Sequence, residues 1–355
     1  MSRFLQLHFL TFYPPSNLNR DDLGRPKSAI IGGVNRLRIS SQALKRTWRT
    51  SDTFAEALDG HLAKRTQRLG ETIHQHLLAK GIDTGRALKI ARDIATAFGK
   101  PKAETDKNPA YTEQLAFISA EEQQAALALA DRMSNGEAFD PKKQAADILR
   151  RTDTAADIAM FGRMLADNPD FNREASVQVA HAVTTHKITI EDDYYTAVDD
   201  LKLPSEDAGA GFLGEAGFGA GVFYLYVCID NDLLARNLAG DTALAGTARA
   251  ALAQAAATVA PGGKQASYAS RSYAQYILAE AGNAQPRTLA GAFLKPVTER
   301  EDEGDMLAAS VNRLTQTRDS MDRAYGPCAE THRIMDVVQN IGTLAEIMAF
   351  CRDCA

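Results

Sequence analysis

The chain has 355 residues, of which 45% are hydrophobic and 24% charged, with a formal net charge of −5. That supports a sizeable core and about two structural units; with no apolar run in MSRFLQLHF and no stretch approaching a membrane span, a cytoplasmic, membrane-free setting is expected. The net charge argues against an anionic polymer as partner, but residues 1–50 hold nine Lys/Arg against Asp21 and Asp22, a local balance of +7 that would meet a phosphate backbone first.

Phe4 to Phe9 alternates, with Leu5, Leu7 and Phe9 on one side and Gln6 and His8 on the other, the pattern of a half-buried strand. The following loop is long, rich in Pro, Gly and Asn, carries Arg20, Arg25 and Lys27, and ends at Gly32-Gly33, where the backbone can turn tightly. NRLRI then reads as a short strand, and Ser40 and Ser41 as the N-cap of a helix. Helical periodicity puts Gln42, Lys45, Arg46 and Arg49 on one face and Leu44, Thr47 and Trp48 on the other. A helix N-terminus followed by a basic stripe suits phosphates; an ordinary solvated surface helix is the plain alternative.

From Thr53 to Asn172 helical patterns dominate, separated by Gly and Pro, and this stretch is expected to be an inserted helical domain. Lys142 and Lys143 lie within it, as solvated charge or as a nucleic-acid contact. FGRML (161–165) follows, then a mixed helix-to-strand stretch over 176–190. Residues 191–217 hold eight acids against Lys202 alone and run into the glycine-rich 209–221, expected to form a flexible projecting hairpin. VFYLYVCID (222–230) is apolar on both sides and predicts a central strand. A helix over 242–259, the loop PGGKQAS, a strand near 273–280 and two amphipathic helices complete an α+β pattern interrupted once.

Gly209-Ala-Gly211-Phe-Leu-Gly214 matches G-x-G-x-x-G, but it precedes a strand and lies among carboxylates, so dinucleotide binding is not expected. His181 and His186 share neither a helix face nor a strand face, and structural roles are expected for both. The cysteines, 228, 328, 351 and 354, lack the spacing of a secreted disulfide framework. Cys351 and Cys354, with Cys328 and His332, make a zinc set only on paper, because Cys354 is the penultimate residue and chain ends fray. Asp21 and Asp22 would suit Mg²⁺-dependent phosphodiester hydrolysis or, more simply, turn capping and pairing with Arg20 and Arg25. No other catalytic constellation stands out, and the pattern favours a binder without a cofactor.

SNLNRDD (16–22), AIIGGVNRLRISSQALKR (29–46), VAHAVTTH (179–186), YYTAVDDL (194–201) and GVFYLYV (221–227) together resemble the CasC-type backbone subunits of type I-E CRISPR Cascade complexes. PGGKQASYA (261–269) resembles the family's basic loop more loosely. The resemblance implies a modified RNA-recognition-motif (ferredoxin-like) palm over 1–52 and 173–355, a helical finger over 53–172 and a thumb hairpin over 191–221. It implies copies stacked head to tail along a CRISPR RNA, the thumb of each kinking the RNA over the next, with other Cascade subunits and a target DNA strand as partners and no nuclease activity.

Carried over by position, Asn19, Arg20, Lys27, Arg38, Ser40, Ser41, Gln42, Lys45, Arg46, Arg49, Arg163, Lys264 and Gln265 grip the RNA and Met164 wedges between bases. Tyr194, Tyr195 (Trp-Phe in the family), Thr196 and Leu213 belong to the thumb, and Lys142 and Lys143 are candidate target-DNA contacts. The +7 N-terminal region and the −7 thumb would be complementary in such a head-to-tail stack, an expectation about assembly. Two other readings stand beside this one: an RNA-cleaving subunit like those of type III CRISPR complexes, using Asp21 or Asp22, and a purely structural α+β protein.

Overall fold

The computed structural model describes residues 2–197 and 212–354. The strands are β1 (Phe4–Ser16), β2 (Ser28–Ile31), β3 (Val34–Ile39), β4 (Lys64–Thr66), β5 (Ala116–Ile118), β6 (Val177–Val179), β7 (Ala182–Thr184), β8 (Glu191–Ala197), β9 (Phe212–Asp230), β10 (Tyr276–Gly282) and β11 (Thr331–Asp336). The helices used below are α1 (Ser41–Arg49), α2 (Leu69–Ala79), α3 (Thr84–Ala95), α4 (Ala120–Ser134), α5 (Pro141–Ile148), α6 (Asn231–Asn237), α7 (Gln265–Tyr268), α8 (Met306–Tyr325) and α9 (Leu344–Asp353). The fold is α+β. Among the described residues no helix is long and apolar enough to cross a membrane.

The chain divides into two compact units, one of residues 1–54, 179–228 and 249–354, the other of 55–178 and 229–248. The first is built on a sheet of order β11-β10-β1-β9-β7-β3-β2, with β8 paired to β9. The pairs β1–β10, β10–β11, β2–β3, β3–β7, β7–β9 and β8–β9 are antiparallel. β9 lies between β1 and β7, which is why VFYLYVCID is apolar on both sides. Its core includes Leu10, Tyr224, Leu278, Phe293 and Leu314. In the second unit α2, α3, α4 and α5 pack around Ile73, Leu77, Ile94, Leu129 and Ile148. Asn237 of α6 joins that unit by donating to the carbonyls of Ala159 and Glu174.

Four local expectations change. β1 is buried on both faces, not half-buried: Gln6 and His8 are as enclosed as Leu5, Leu7 and Phe9. The polar face is tolerated because most of it is paired, with His8 Nε2 left at 3.4 Å from Glu280. Gln6 accepts from Tyr226 Oη and the Arg287 amide, His8 Nδ1 pairs with Tyr224 Oη at 2.9 Å, and Glu280 pairs with Arg287 and Arg318 at 2.7 Å each. The stretch 176–190 forms the short strands β6 and β7 with no helix. THRIMD forms an edge strand, β11, between the last two helices.

The glycine-rich stretch, where described, is part of one nineteen-residue strand, β9. Its glycines permit close packing. A Cβ on Gly217, Gly219 or Gly221 would fall about 3 Å from Pro26, Leu37 or His186, and one on Gly214 would meet the Tyr195 ring. These positions need the absence of a side chain, not a mobile backbone. The acids Asp199, Asp200, Glu206 and Asp207 lie outside the described residues.

Candidate nucleic-acid interface

The basic strand–helix unit is assembled locally. Gly32 and Gly33, at φ +60° and +78°, make the two-residue turn that pairs Ile31 with Val34. A Cβ on Gly32 would also strike the Leu294 carbonyl, so this turn is closed to other residues on two grounds. Ser40 leaves β3 in an extended conformation and its Oγ accepts the Ala43 amide at 3.3 Å, capping α1. Leu44 and Trp48 are buried beneath the helix, while Gln42 and Arg46 are exposed and Lys45 and Arg49 half-exposed. Partial burial lowers the Lys45 pKa from its ordinary value. The helix N-terminus adds the favourable end of its dipole to this face.

The long loop is folded against that unit. Asn19 Oδ1 accepts the Ser40 amide at 2.9 Å, its carbonyl accepts the Lys27 amide, and the Lys27 carbonyl accepts the Arg38 amide. Lys27 and Arg38 thereby share one wall, where they line a small depression with Asn19 and Ser16. Arg38 Nη1 donates to His181 Nδ1 at 2.8 Å. Arg20 is exposed beside its bridge to Pro26. Asp21 Oδ1 accepts the amides of Leu23 and Arg25, a turn-capping role, and Arg25 pairs with Asp192 of β8 at 2.8 Å.

The loop over 261–265 closes a second wall. Gly263 sits so near the backbone carbonyls of Asn17 and Leu18 that a Cβ would approach them to about 2.5 Å. Lys264 follows at φ +48°, half-exposed, and Gln265 Nε2 donates to the Pro261 carbonyl. Between this loop and the C-terminal end of α1 is a cleft of about 800 Å³, lined by Thr50, Ser51, Gln265, Arg271, Tyr273 and Gln275 among others. Tyr273 is 67% exposed there.

Tyr194, Tyr195 and Thr196 are exposed on β8, in register with Glu215, Gly214 and Leu213 of β9. In the second unit Met164 is 81% exposed, whereas Arg163, beside it, is interior: its side chain is 1% exposed and pairs with Glu122 at 2.5 Å. Arg163 is therefore a structural residue, not a surface cation. Lys142 and Lys143 lie on α5, whose first turn is tied by Asp140 Oδ1 accepting the Lys143 amide. His186 is a satisfied structural histidine, with Nδ1 against the Lys187 carbonyl and Nε2 accepting the Val222 amide. Cys351 is buried, and among the described residues no group of three or more His, Cys, Asp or Glu is arranged to hold a metal. Sequence reasoning missed His181, Arg271 and Tyr273 as groove residues. The basic wall and the exposed aromatic in SRSYAQ were the available signals.

The family model described as CT1975-like protein matches residues 5–349. The chain belongs to the CT1975-like protein family. Among solved structures, this family member is similar to a chain of a "CRISPR RNA-guided surveillance complex, pre-nicking", with 27% identity, coverage of 99% of this chain and 100% of that one, and a TM-score of 0.86. It also matches a chain of a "CRISPR RNA-guided surveillance complex" at 24% identity, covering 98% and 99% of the two chains with a TM-score of 0.74, a likeness of fold. No curated protein matches it.

Proposed function

We propose that this CT1975-like protein is a non-catalytic backbone subunit of a type I-E Cascade surveillance complex that holds the CRISPR RNA. In this reading the RNA-recognition-motif palm (1–52, 173–355), finger (53–172) and thumb (191–221) are those of the CasC-type subunits. Copies polymerise head to tail along the guide in the cytoplasm, beside other Cascade subunits. They kink the RNA at intervals and present it for pairing with target DNA, with Lys142 and Lys143 toward the DNA. Full-length likeness to a subunit of a CRISPR RNA-guided surveillance complex carries the proposal.

The groove supports it chemically. A guide must be held without being read, so contacts belong on phosphate and sugar while base edges stay available. Lys27, Arg38, Lys45, Arg46 and Arg49, with the α1 N-terminus, supply a sequence-blind cationic track for phosphates. The exposed Met164 and Tyr194 are of the apolar type that wedges between bases at a cost of about a few kcal/mol per step. Asp21, engaged by two amides, is accounted for as a loop organiser.

The test is native mass spectrometry of purified protein with a CRISPR RNA, Mg²⁺ present, followed by gel analysis of the RNA. The proposal predicts several copies on one intact RNA. A single copy would contradict polymerisation; Mg²⁺-dependent cleavage of an added complementary target RNA at regular intervals, abolished by Asp21→Ala or Asp22→Ala, would establish the type III-like reading; no binding would leave a structural protein.

A further inference from the structure

His181 lies in the groove wall yet is not one of the cations that form it. It is exposed, it follows β6 and precedes β7, and its Nδ1 is 2.8 Å from Arg38 Nη1. A guanidinium can only donate. Nδ1 must therefore be the acceptor, which places the ring proton of the neutral imidazole on Nε2. Nε2 has no partner among the described residues. The charged groups facing the ring are Arg38 from β3 and Lys27 from the loop before β2.

Resting on the RNA-holding reading above, we propose that His181 is a phosphate-contacting residue of the groove, its Nε2–H donating to a phosphodiester oxygen that Lys27 and Arg38 draw in. Partial burial of the ring, then Arg38 and Lys27, lower its pKa below the ordinary histidine value, so the free protein carries it neutral. An arriving phosphate reverses that field and raises the pKa. Below neutral pH the second proton goes on Nδ1 and releases Arg38 toward the same phosphate, so RNA binding takes up protons and affinity rises as pH falls through the bound-state pKa toward the free-state one. The donor works at neutral pH without adding a third like charge to the Lys27–Arg38 wall.

The experiment is fluorescence anisotropy of a labelled single-stranded RNA with the full chain, at about pH 6 and pH 8. It compares wild type, His181→Asn, His181→Gln and Arg46→Ala. Asn mimics Nδ1 and keeps the acceptor for Arg38; Gln mimics Nε2 and keeps the outward donor. His181→Asn is expected to lose roughly tenfold in affinity, His181→Gln to stay within about twofold, and both to lose part of the wild-type pH dependence. The opposite order, Asn tolerated and Gln not, would mean His181 only holds Arg38 and would overturn the proposal. If Arg46→Ala weakens binding while both His181 variants match wild type, the His181 inference alone falls. If Arg46→Ala is also silent, the groove reading falls with it.

Discussion

Arginines in two regions of this chain have opposite fates. In the second unit the side chains of Arg163 and Arg173 are each 1% exposed, committed to Glu122 and Asp153, which are themselves enclosed. Arg173 grips Asp153 through both guanidinium nitrogens, at 2.6 and 2.7 Å, and the Glu122 carboxylate also accepts the amides of Ser119 and Arg150. In the first unit's groove Arg46 is exposed and Arg38 pairs with a neutral imidazole. Buried charge must be paired or hydrogen-bonded where it is, so those arginines are consumed by folding. Only cations left facing water retain charge to offer a phosphate. A charge count cannot separate the two; a partner list can.

The sharpest way to break this contrast is Arg163→Ala. It strands Glu122 without its cation, and we expect a loss of about 3–5 kcal/mol in urea unfolding. Unchanged stability with weakened RNA binding would move Arg163 into the groove.

Glu280 is a buried charge of the first unit. Burial alone would raise its pKa, but hydrogen bonds from His8, Arg287 and Arg318 outweigh this and hold the carboxyl below its ordinary range. Its folded pKa lies under its unfolded one, so the stability it contributes is complete above the unfolded value and is lost as pH falls through the folded one. Wild type should lose stability steadily on acidification below about pH 5, and Glu280→Gln should flatten that slope. Equal slopes would show that the network is not held by charge.

Two smaller effects concern the groove's scaffold. Gly32→Ala puts a Cβ at positive φ against the Leu294 carbonyl and should cost more than about 1 kcal/mol in thermal unfolding. A tolerated alanine would mean the turn relaxes freely. Ser40→Ala removes the α1 cap and should cost about 1 kcal/mol by the same assay; no loss would mean water replaces the hydroxyl.

These regions also differ in how far the sequence disclosed them. The turn at Gly32-Gly33, the Ser40 cap, the buried Leu44–Trp48 side of α1 and the central place of β9 depend on neighbouring residues, and local patterns sufficed. The second buried face of β1 did not show, because its partners are remote: Gln6 meets Cys328 across 322 positions and His8 meets Tyr224 across 216. Arg163 looked like a surface cation because Glu122, 41 residues away, is an ordinary helix-start residue in sequence. The glycines of β9 resembled a flexible segment because close packing and flexibility select the same residue. His181 reads as a structural histidine in sequence because its contact with Arg38, 143 positions earlier, is not local.

The measurement that bears most directly on the groove is a salt titration of RNA affinity, wild type beside Lys45→Ala/Arg46→Ala. If those side chains face phosphate, log affinity falls steeply with log salt, and the double variant lowers both the affinity and the slope, the slope by about 1.4. Equal slopes and affinities for the two proteins would contradict an RNA groove on α1.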